Sequence, residues 1–334
     1  MSAPLFSHVH VHSHYSLLEA LPKVSDLIAA AKADGQTALA LTDNGNLYGA
    51  IEFYKEAKAA GIKPIIGVDF FVAPRTRHDK EHRVDDRHFR LVLLAKDMAG
   101  YKNLIQLVSK SHLEGFYYRP RIDRELIELH REGTIAILPS FSGEHARNLK
   151  DEQVDKAHEA IAWYSKLFGD DLYVEITHHP EIEGHEKLQE KIQTLAKESG
   201  LPLVAAHDTY YLEKDDAVAR ELVNKIRVGG TLDRESLTAT DFSFITQERA
   251  RALFQATPEA IENTGRIAEK ISLELDLGKW LFPALKIEGK SHDEALRDLA
   301  YQGFALRNLE ETPALRERVD YELSVIAKKG YSPY

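Results

Sequence analysis

The chain has 334 residues and a formal net charge of −10, because 53 Asp and Glu outnumber 43 Lys and Arg. With 43% hydrophobic and 29% charged residues it fits a globular protein with a sizeable core, which excludes disordered and fibrous chains. The length suggests two domains, and the net charge argues against a protein that coats nucleic acid. The absence of cysteine excludes disulfides and thiolate metal sites and fits a cytoplasmic protein. No apolar run approaches the roughly 20 residues that a membrane span needs.

Histidine is frequent near the N-terminus, where alternate residues between positions 8 and 14 are histidines. This period of two predicts a strand with valines on one face and histidines on the other. The histidines are His8, His10, His12 and His14. Buried imidazoles need polar partners, and neutral imidazole is a common metal ligand, so the pattern favours metal binding. A solvent-exposed strand face is the alternative.

A short unit recurs along the chain, in which a helix ends at a glycine, an apolar strand follows, and an aspartate comes eight residues after the glycine. The copies run from Gly35 to Asp43, from Gly61 to Asp69 and from Gly200 to Asp208. Glycine ends helices in the left-handed conformation, and continuous apolar runs are typical of parallel strands buried on both faces. The unit therefore predicts an α/β sheet or barrel whose aspartates end their strands at one rim, near the histidines. Helix N-capping is the alternative role for any single aspartate.

Other segments carry weaker signals. The polar run 75–88 predicts a solvated loop, although His88 directly precedes a strand and is a candidate for the rim. The aromatic and basic stretch 115–121 fits contact with a phosphate backbone and an ordinary loop equally well. No phosphate-binding glycine loop and no GxSxG motif occurs, which argues against kinases, dehydrogenases and serine hydrolases of those types. From residue 215 onward the pattern predicts mainly helices.

Several segments resemble the PHP domain (polymerase and histidinol phosphatase). Residues 6–19 look like its opening, and residues 41–54 and 61–67 look like its next motif. These versions are closer to the alpha subunits of bacterial DNA polymerase III, the replicative C-family polymerases, than to free-standing phosphatases. Residues 113–117, 121–124 and 321–326 are also similar to those subunits, so the resemblance covers the chain from about residue 5 onward.

The resemblance implies an α/β fold with a distorted (β/α)7 PHP barrel over residues 1–277, which binds up to three metal ions at its rim. Residues 278–334 are then the beginning of a polymerase palm domain, truncated in this chain. In this family the palm carboxylates that bind Mg²⁺ lie further along, so no catalytic residue is assigned here. We therefore expect the N-terminal, PHP-containing part of a replicative DNA polymerase, and we expect this part not to extend primers by itself.

The resemblance also assigns metal-ligand positions, each occupied by histidine or a carboxylate. They are His10, His12, Glu19, Asp69, His88 and Asp208. The sequence departs from the family at Asn44 and Tyr210, where metal-binding members have histidine, and at Ser140, where they have cysteine or histidine.

These departures are unevenly distributed among the three ions of the family. One ion keeps its complete set, which is His10, His12, Asp69 and Asp208. A second keeps only Glu19, and a third keeps Asp69 and His88. Because Asn, Ser and Tyr are poor ligands for transition metals, we expect at most one well-formed site, for Zn²⁺ or Mn²⁺.

Two functions of different classes stay open. In the first, which we favour, the PHP barrel is a structural and interaction module that supports the polymerase and docks a proofreading partner. In the second it is a metal-dependent phosphoesterase, acting as a 3′–5′ exonuclease or on pyrophosphate. For the full-length protein the resemblance implies DNA, deoxynucleotides, the sliding clamp and a proofreading exonuclease as partners, and no membrane.

Overall fold

The computed structural model describes residues 6–229, 240–279 and 285–334. The chain divides into two compact units, Met1–Glu274 and Leu275–Tyr334. Residues 280–284, close to the predicted start of the palm, lie outside the described residues. Within the described part of the chain, no helix combines the length and hydropathy needed to cross a membrane.

The first unit is a mixed α/β domain built on a curled sheet. Its described strands are β1 (Ala38–Leu41), β2 (Lys63–Val72), β3 (Phe89–Ala95), β4 (Arg121–Ile122), β5 (Thr134–Leu138), β6 (Leu172–Ile176) and β7 (Leu203–Ala205). Its described helices are α1 (Val24–Ala33), α2 (Ala50–Ala60), α3 (Met98–Leu113), α4 (Arg124–His130), α5 (Glu144–Lys150), α6 (Val154–Phe168), α7 (His185–Glu198), α8 (Ala217–Val228), α9 (Gln247–Leu253) and α10 (Pro258–Lys270). The strands are apolar and almost wholly buried, which confirms the predicted α/β class.

The strands lie in the order β1-β2-β3-β5-β6-β7, with β4 beside β2. All neighbouring pairs are parallel except those of β3, which runs antiparallel to both β2 and β5. The recurring unit predicted parallel strands, and the antiparallel strand β3 lies outside that unit. The physical reason for its direction is the connection, because residues 73–88 contain no described helix and return the chain directly alongside β2.

Residues 8–12, named here the bridging segment, contact both edges of the sheet. On one side the amide of Ala40 donates to the carbonyl of His8 at 2.9 Å. On the other side the amide of His12 donates to the carbonyl of Thr209, just beyond β7, also at 2.9 Å. The bridging segment therefore connects β1 at one edge of the sheet with the residues just beyond β7 at the other. It also places two of the predicted metal ligands, His10 and His12, in the interior.

The glycines of the recurring unit behave as predicted. Gly35, Gly61 and Gly200 have φ values of +70°, +78° and +66°, the left-handed conformation that ends a helix. The prediction that each aspartate ends its strand was wrong for Asp69, because β2 continues to Val72. The strand is prolonged because its later residues pair with β3 and β4 and with the turn after β1, where the amide of Gly45 donates to the carbonyl of Asp69.

Most of the polar run 75–88 is exposed, as predicted, but its backbone is held by a buried arginine from further along the chain. The guanidinium of Arg121 is 1% exposed and donates to the carbonyls of Arg77, Asp79 and Asp85 at 3.1, 2.9 and 2.8 Å. It also donates to the carbonyl of Gly115 at 3.1 Å. Arg121 is therefore turned inward to hold this loop, which favours the ordinary-loop interpretation of residues 115–121 at this position.

The second unit contains two described helices, α11 (His292–Leu306) and α12 (Pro313–Lys328). Each begins at an N-cap, where the hydroxyls of Ser291 and Thr312 accept hydrogen bonds from amides of the first helical turn. The two helices are linked by the hydroxyl of Tyr301, which donates to Asp320 at 2.7 Å. The assignment of this unit to a palm domain stays a prediction.

Candidate metal centre

Two histidines of the bridging segment meet two aspartates inside the first unit. His10 Nε2 lies 3.2 Å from Asp69 Oδ2 and 3.5 Å from Asp208 Oδ1. His12 Nε2 lies 3.0 Å from Asp208 Oδ1 and 4.0 Å from Asp69 Oδ2. All four residues are buried, so their polar atoms and charges are balanced by one another instead of by water.

These donor atoms fit one metal ion. In tetrahedral zinc sites with bonds of about 2.0–2.1 Å, neighbouring ligand atoms are about 3.3 Å apart. The measured separations, from 3.0 to 4.0 Å, span that value. The ligand atoms of His10, His12 and Asp208 all lie within 4.8 Å of one another. Imidazole and carboxylate are also donors that both Zn²⁺ and Mn²⁺ accept.

Glu175 prepares His10 for this role. Glu175 lies inside the apolar strand β6 and is fully buried, and its Oε2 lies 2.7 Å from His10 Nδ1. The carboxylate accepts the Nδ1 proton, so Nε2 is the ring atom that a metal ion would bind, whereas without an ion the aspartates favour a proton there. Burial disfavours charge on His10, yet Asp208, Glu175 and Asp69 outweigh it and raise the pKa of His10 well above its ordinary value.

Asp208 is held in an uncommon backbone conformation. Its φ of +51° lies in the left-handed region, which aspartate tolerates better than bulky residues do. Burial opposes its charge, but His10 and His12 outweigh that effect and lower the pKa of Asp208 to about 2. Asp208 is therefore an anion near neutral pH, as a metal ligand must be.

Tyr210 covers one side of the centre without contributing a transition-metal ligand. Its ring stacks on His12 with centroids 4.2 Å apart and an interplanar angle of 18°. The guanidinium carbon of Arg220 lies 3.8 Å from the centroid of the same ring. Burial and then the charge of Asp208 raise the pKa of Tyr210 well above its ordinary value, so its hydroxyl keeps its proton.

Arginines occupy the side of the centre where the resemblance places further ions. Glu19 Oε1 lies 2.5 Å from Arg119 Nη2, and Glu19 accepts a hydrogen bond from Asn44 Nδ2. The second arginine on this side is Arg90. Its Nε donates to Asp69 Oδ1 at 2.9 Å, and its Nη2 contacts both Asp69 Oδ2 and Asn44 Oδ1. Arg90 and His10 outweigh burial and hold the pKa of Asp69 below its ordinary value.

Among the described residues, His88 is not brought into the ligand cluster. Its ring lies edge-on to Phe71, 4.9 Å between centroids, and its carbonyl accepts from Arg147 at 3.1 Å. Burial first, and then Arg90, Arg119 and Arg147, lower the pKa of His88 to about 4. The residue of β3 that reaches the centre is Arg90. The assignment of His88 as a metal ligand stays a prediction.

The remaining predicted neighbours have structural contacts. Asp43 accepts hydrogen bonds from Ser13 and Ser16, the shortest at 2.7 Å, so it holds the turn after the bridging segment. His8 and His14 bond to the carbonyls of Ile245 and Pro22. The predicted strand was wrong, because the bridging segment makes a single bridge to Thr209 instead of a regular ladder, and of the four histidines it is His10 and His12 that contact the aspartates.

A family model for the PHP domain matches residues 8–179, more than half of the chain. The chain belongs to the PHP domain family. The match begins at the first histidine of the bridging segment and includes His10, His12 and Asp69. The PHP domain resemblance predicted from the sequence is confirmed.

Curated relatives of this PHP domain chain share one name. DNA polymerase III subunit alpha of Borreliella burgdorferi is 39% identical over 340 residues, covering 98% of this chain and 29% of the relative. The subunits of Treponema pallidum and Thermus aquaticus are 35% and 36% identical and cover 100% and 90% of this chain. Those matches cover 29% and 26% of the relatives, so the chain spans less than a third of their length.

Solved structures resemble the PHP domain chain more distantly. One is a two-domain protein from Bacteroides vulgatus containing a predicted PHP-like metal-dependent phosphoesterase, 13% identical, with a TM-score of 0.35 over 62% of this chain and 52% of that one. Another is an amidohydrolase from Chromobacterium violaceum, 15% identical, with a TM-score of 0.35 over 61% of this chain and 87% of that one.

Proposed function

We propose that this chain is the PHP-containing part of a replicative DNA polymerase alpha subunit, and that its PHP domain acts mainly as a structural and interaction module. The observation that carries the first statement is the set of alpha-subunit relatives, each matched over 90–100% of this chain. DNA replication by nucleotidyl transfer is then the activity of the full-length protein in the bacterial cytoplasm. That activity needs Mg²⁺ at palm carboxylates, which the resemblance does not place in this chain.

The second statement rests on the composition of the centre. Hydrolysis by two metal ions requires a pair of cations that clamp the attacking and leaving oxygens. Among the described residues, one group of histidine and carboxylate donors converges, formed by His10, His12 and Asp208, with Asp69 Oδ2 3.2 Å from His10 Nε2. An ion bound there would supply Lewis-acid chemistry, polarising a phosphoryl oxygen. The opposite side offers arginine, asparagine and a tyrosine that keeps its proton.

The same resemblance supplies the partners of the proposal. DNA and deoxynucleotides bind the full-length protein, and the sliding clamp and a proofreading exonuclease dock on it. The PHP domain contributes a rigid surface, because its interior is closed by the buried network around His10 and by the bridging segment.

A metal-dependent phosphoesterase is the second candidate function. It is favoured by one observation, the convergence of His10, His12 and Asp208 on a position that a divalent ion fits. In that case the PHP domain removes nucleotides from a 3′ end or cleaves pyrophosphate.

The metal content and the activity of the purified chain distinguish the structural module from the phosphoesterase. After dialysis against Mn²⁺ or Zn²⁺ and removal of the free metal, elemental analysis is expected to find about one ion per chain, and none in His12→Ala. A matched control is His82→Ala, because the side chain of His82 is 69% exposed. Three tightly bound ions in the wild-type chain would contradict the single-ion site.

The activity assays use labelled primer–template DNA and pyrophosphate, with and without added Mn²⁺ or Zn²⁺. We expect neither primer extension nor 3′–5′ cleavage by this chain. Metal-dependent cleavage that persists in His82→Ala and disappears in His12→Ala would establish the phosphoesterase instead. Incorporation of nucleotides would refute the assignment of polymerisation to residues outside this chain.

A further inference from the structure

Asp69 lies between two positively charged neighbours. On one side its Oδ2 lies 3.2 Å from His10 Nε2, at the position that fits a metal ion. On the other side both of its oxygens contact the guanidinium of Arg90. A carboxylate shared between two cations is the arrangement of two-metal hydrolytic sites, in which it bridges the ions. Here the second cation is an arginine side chain.

The surroundings of Arg90 hold it in this place. The side chain is 11% exposed, and its guanidinium carbon lies 4.2 Å from the centroid of the Phe71 ring. Beyond Asp69, Arg90 contacts Asn44 Oδ1, and Asn44 in turn donates to Glu19. Asp69 and Asn44 therefore direct oxygens at Arg90, whereas Glu19 directs one oxygen at Arg119 and the other at the amide of Asn44.

We propose that the guanidinium of Arg90 is a permanently bound second cation, which fills the place of a further metal ion and limits this centre to one. The proposal rests on the single-ion site argued above. A guanidinium balances the charge of buried carboxylates as an ion would, and its planar fork matches the two oxygens of Asp69. It does not activate water, because arginine stays protonated and has no position for a water ligand. A centre that holds one metal ion and the Arg90 guanidinium is therefore stabilised, but it lacks the second metal ion that two-metal hydrolysis requires.

Removal of Arg90 tests this directly. Arg90→Ala frees both oxygens of Asp69 and the Oδ1 of Asn44, next to the carboxylate of Glu19. These are oxygen donors, which suit Mn²⁺. We expect the bound Mn²⁺ of the whole chain, counted after equilibrium dialysis, to rise from about one per chain in the wild type to about two in Arg90→Ala. We also expect added Mn²⁺ to raise the melting temperature more in Arg90→Ala than in the wild type.

Three further variants make the result specific. Arg90→His replaces the cation with a metal ligand and is expected to bind about two ions. Arg90→Lys keeps a positive charge and is expected to bind about one. Arg147→Ala removes a neighbouring arginine that contacts the carbonyl of His88, and its ion count is expected to equal that of the wild type.

The outcomes separate the two proposals. A wild-type chain with no ion contradicts the site at His10 and His12. One ion in the wild type and still one in both Arg90→Ala and Arg90→His contradicts the Arg90 assignment alone, and two ions in the wild type overturn it as well. If Arg90→Ala and Arg90→His fold only in the presence of Mn²⁺ and then hold about two ions, the assignment is supported; if Mn²⁺ does not restore folding, it is overturned.

Discussion

Glu175 sets the proton position on His10, and Glu175→Gln is the variant that isolates this effect. The carboxylate accepts the Nδ1 proton of His10 at 2.7 Å, while its other oxygen accepts from the amide of Ser140 at 3.0 Å. Glutamine has the same size and keeps an acceptor for Ser140. Its amide group then faces His10 Nδ1 as a donor, so the imidazole carries its proton on Nε2, the atom that points at the metal position.

The expected loss follows from this change of tautomer. Carboxylates that orient a metal-binding histidine are typically worth a factor of about 10–100 in metal affinity. This corresponds to about 1.4–2.8 kcal/mol of binding free energy. We expect Glu175→Gln to weaken Zn²⁺ binding by that factor and to leave the ion count at saturation unchanged, because every direct ligand is still present.

Competition with a chromophoric chelator measures the affinity, and urea unfolding in the absence of metal shows whether the domain is intact. Ser140→Ala is the matched control, since it removes a hydroxyl 3.3 Å from Glu175 and leaves the contact with His10 in place. An affinity of Glu175→Gln within about threefold of the wild type would refute the reasoning, because the shift of the proton is expected to cost at least tenfold.

Three further variants test buried positions of the domain outside the candidate centre. His145 is 1% exposed, and burial lowers its pKa to about 3. Below about pH 6.5 the imidazole of His145 takes up a proton in the unfolded chain but not in the folded chain, so the free energy of unfolding falls on acidification. In urea unfolding, His145→Gln is expected to lose about 2 kcal/mol less than the wild type between pH 6.5 and 5. Arg121→Met leaves its backbone carbonyl partners without a donor and is expected to cost more than about 3 kcal/mol, with faster proteolysis within residues 77–88. Gly100→Ala places a Cβ 1.8 Å from the carbonyl oxygen of Gly133 and is expected to lower stability by about 1–3 kcal/mol or more in the same unfolding assay.

Each of these variants has a control of the same residue type. His82→Gln and Arg87→Met change exposed side chains and are expected to follow the wild type. At Gly303, in α11, no described atom lies within 4 Å of the added Cβ, so Gly303→Ala is expected to gain up to about 1 kcal/mol. Equal losses of unfolding free energy in a variant and its control would contradict the stability effect expected from burial at that position. An unaltered pH dependence of stability in His145→Gln would do the same for His145.

The fold could be predicted where local patterns determine it. The spacing of glycine and aspartate predicted the turns at Gly35, Gly61 and Gly200, and the structure confirms their left-handed backbone. The antiparallel strand β3 could not be predicted in this way, because its apolar residues are compatible with either direction. Its direction follows from the connection, because residues 73–88 contain no described helix and return the chain directly alongside β2.

The candidate site was predicted in part, for similar reasons. The alternation of histidines pointed to His10 and His12, and the recurring unit pointed to Asp69 and Asp208. The same unit pointed to Asp43, which is instead engaged by Ser13 and Ser16, and nothing local distinguishes it from the other two.

Two functional neighbours were missed. Glu175 is a charged residue inside the apolar strand β6, and such an interruption is a signal that sequence analysis could have used. Arg90 lies in β3, two residues after His88, which directly precedes the strand, so alternation along the chain gave no reason to choose between the two residues.

The bridging segment also determines when the centre can form. His12 and Asp208 are 196 residues apart in the chain, so their contact closes one of the longest loops in the domain. During synthesis the histidines leave the ribosome first, whereas Asp208 follows only after all seven described strands have been made. Until β7 arrives, the bridging segment has no partner at Thr209 and the open edge of the sheet is available to other chains. The candidate centre is therefore completed late in biogenesis, and an ion bound there would mark a domain whose two sheet edges have been connected.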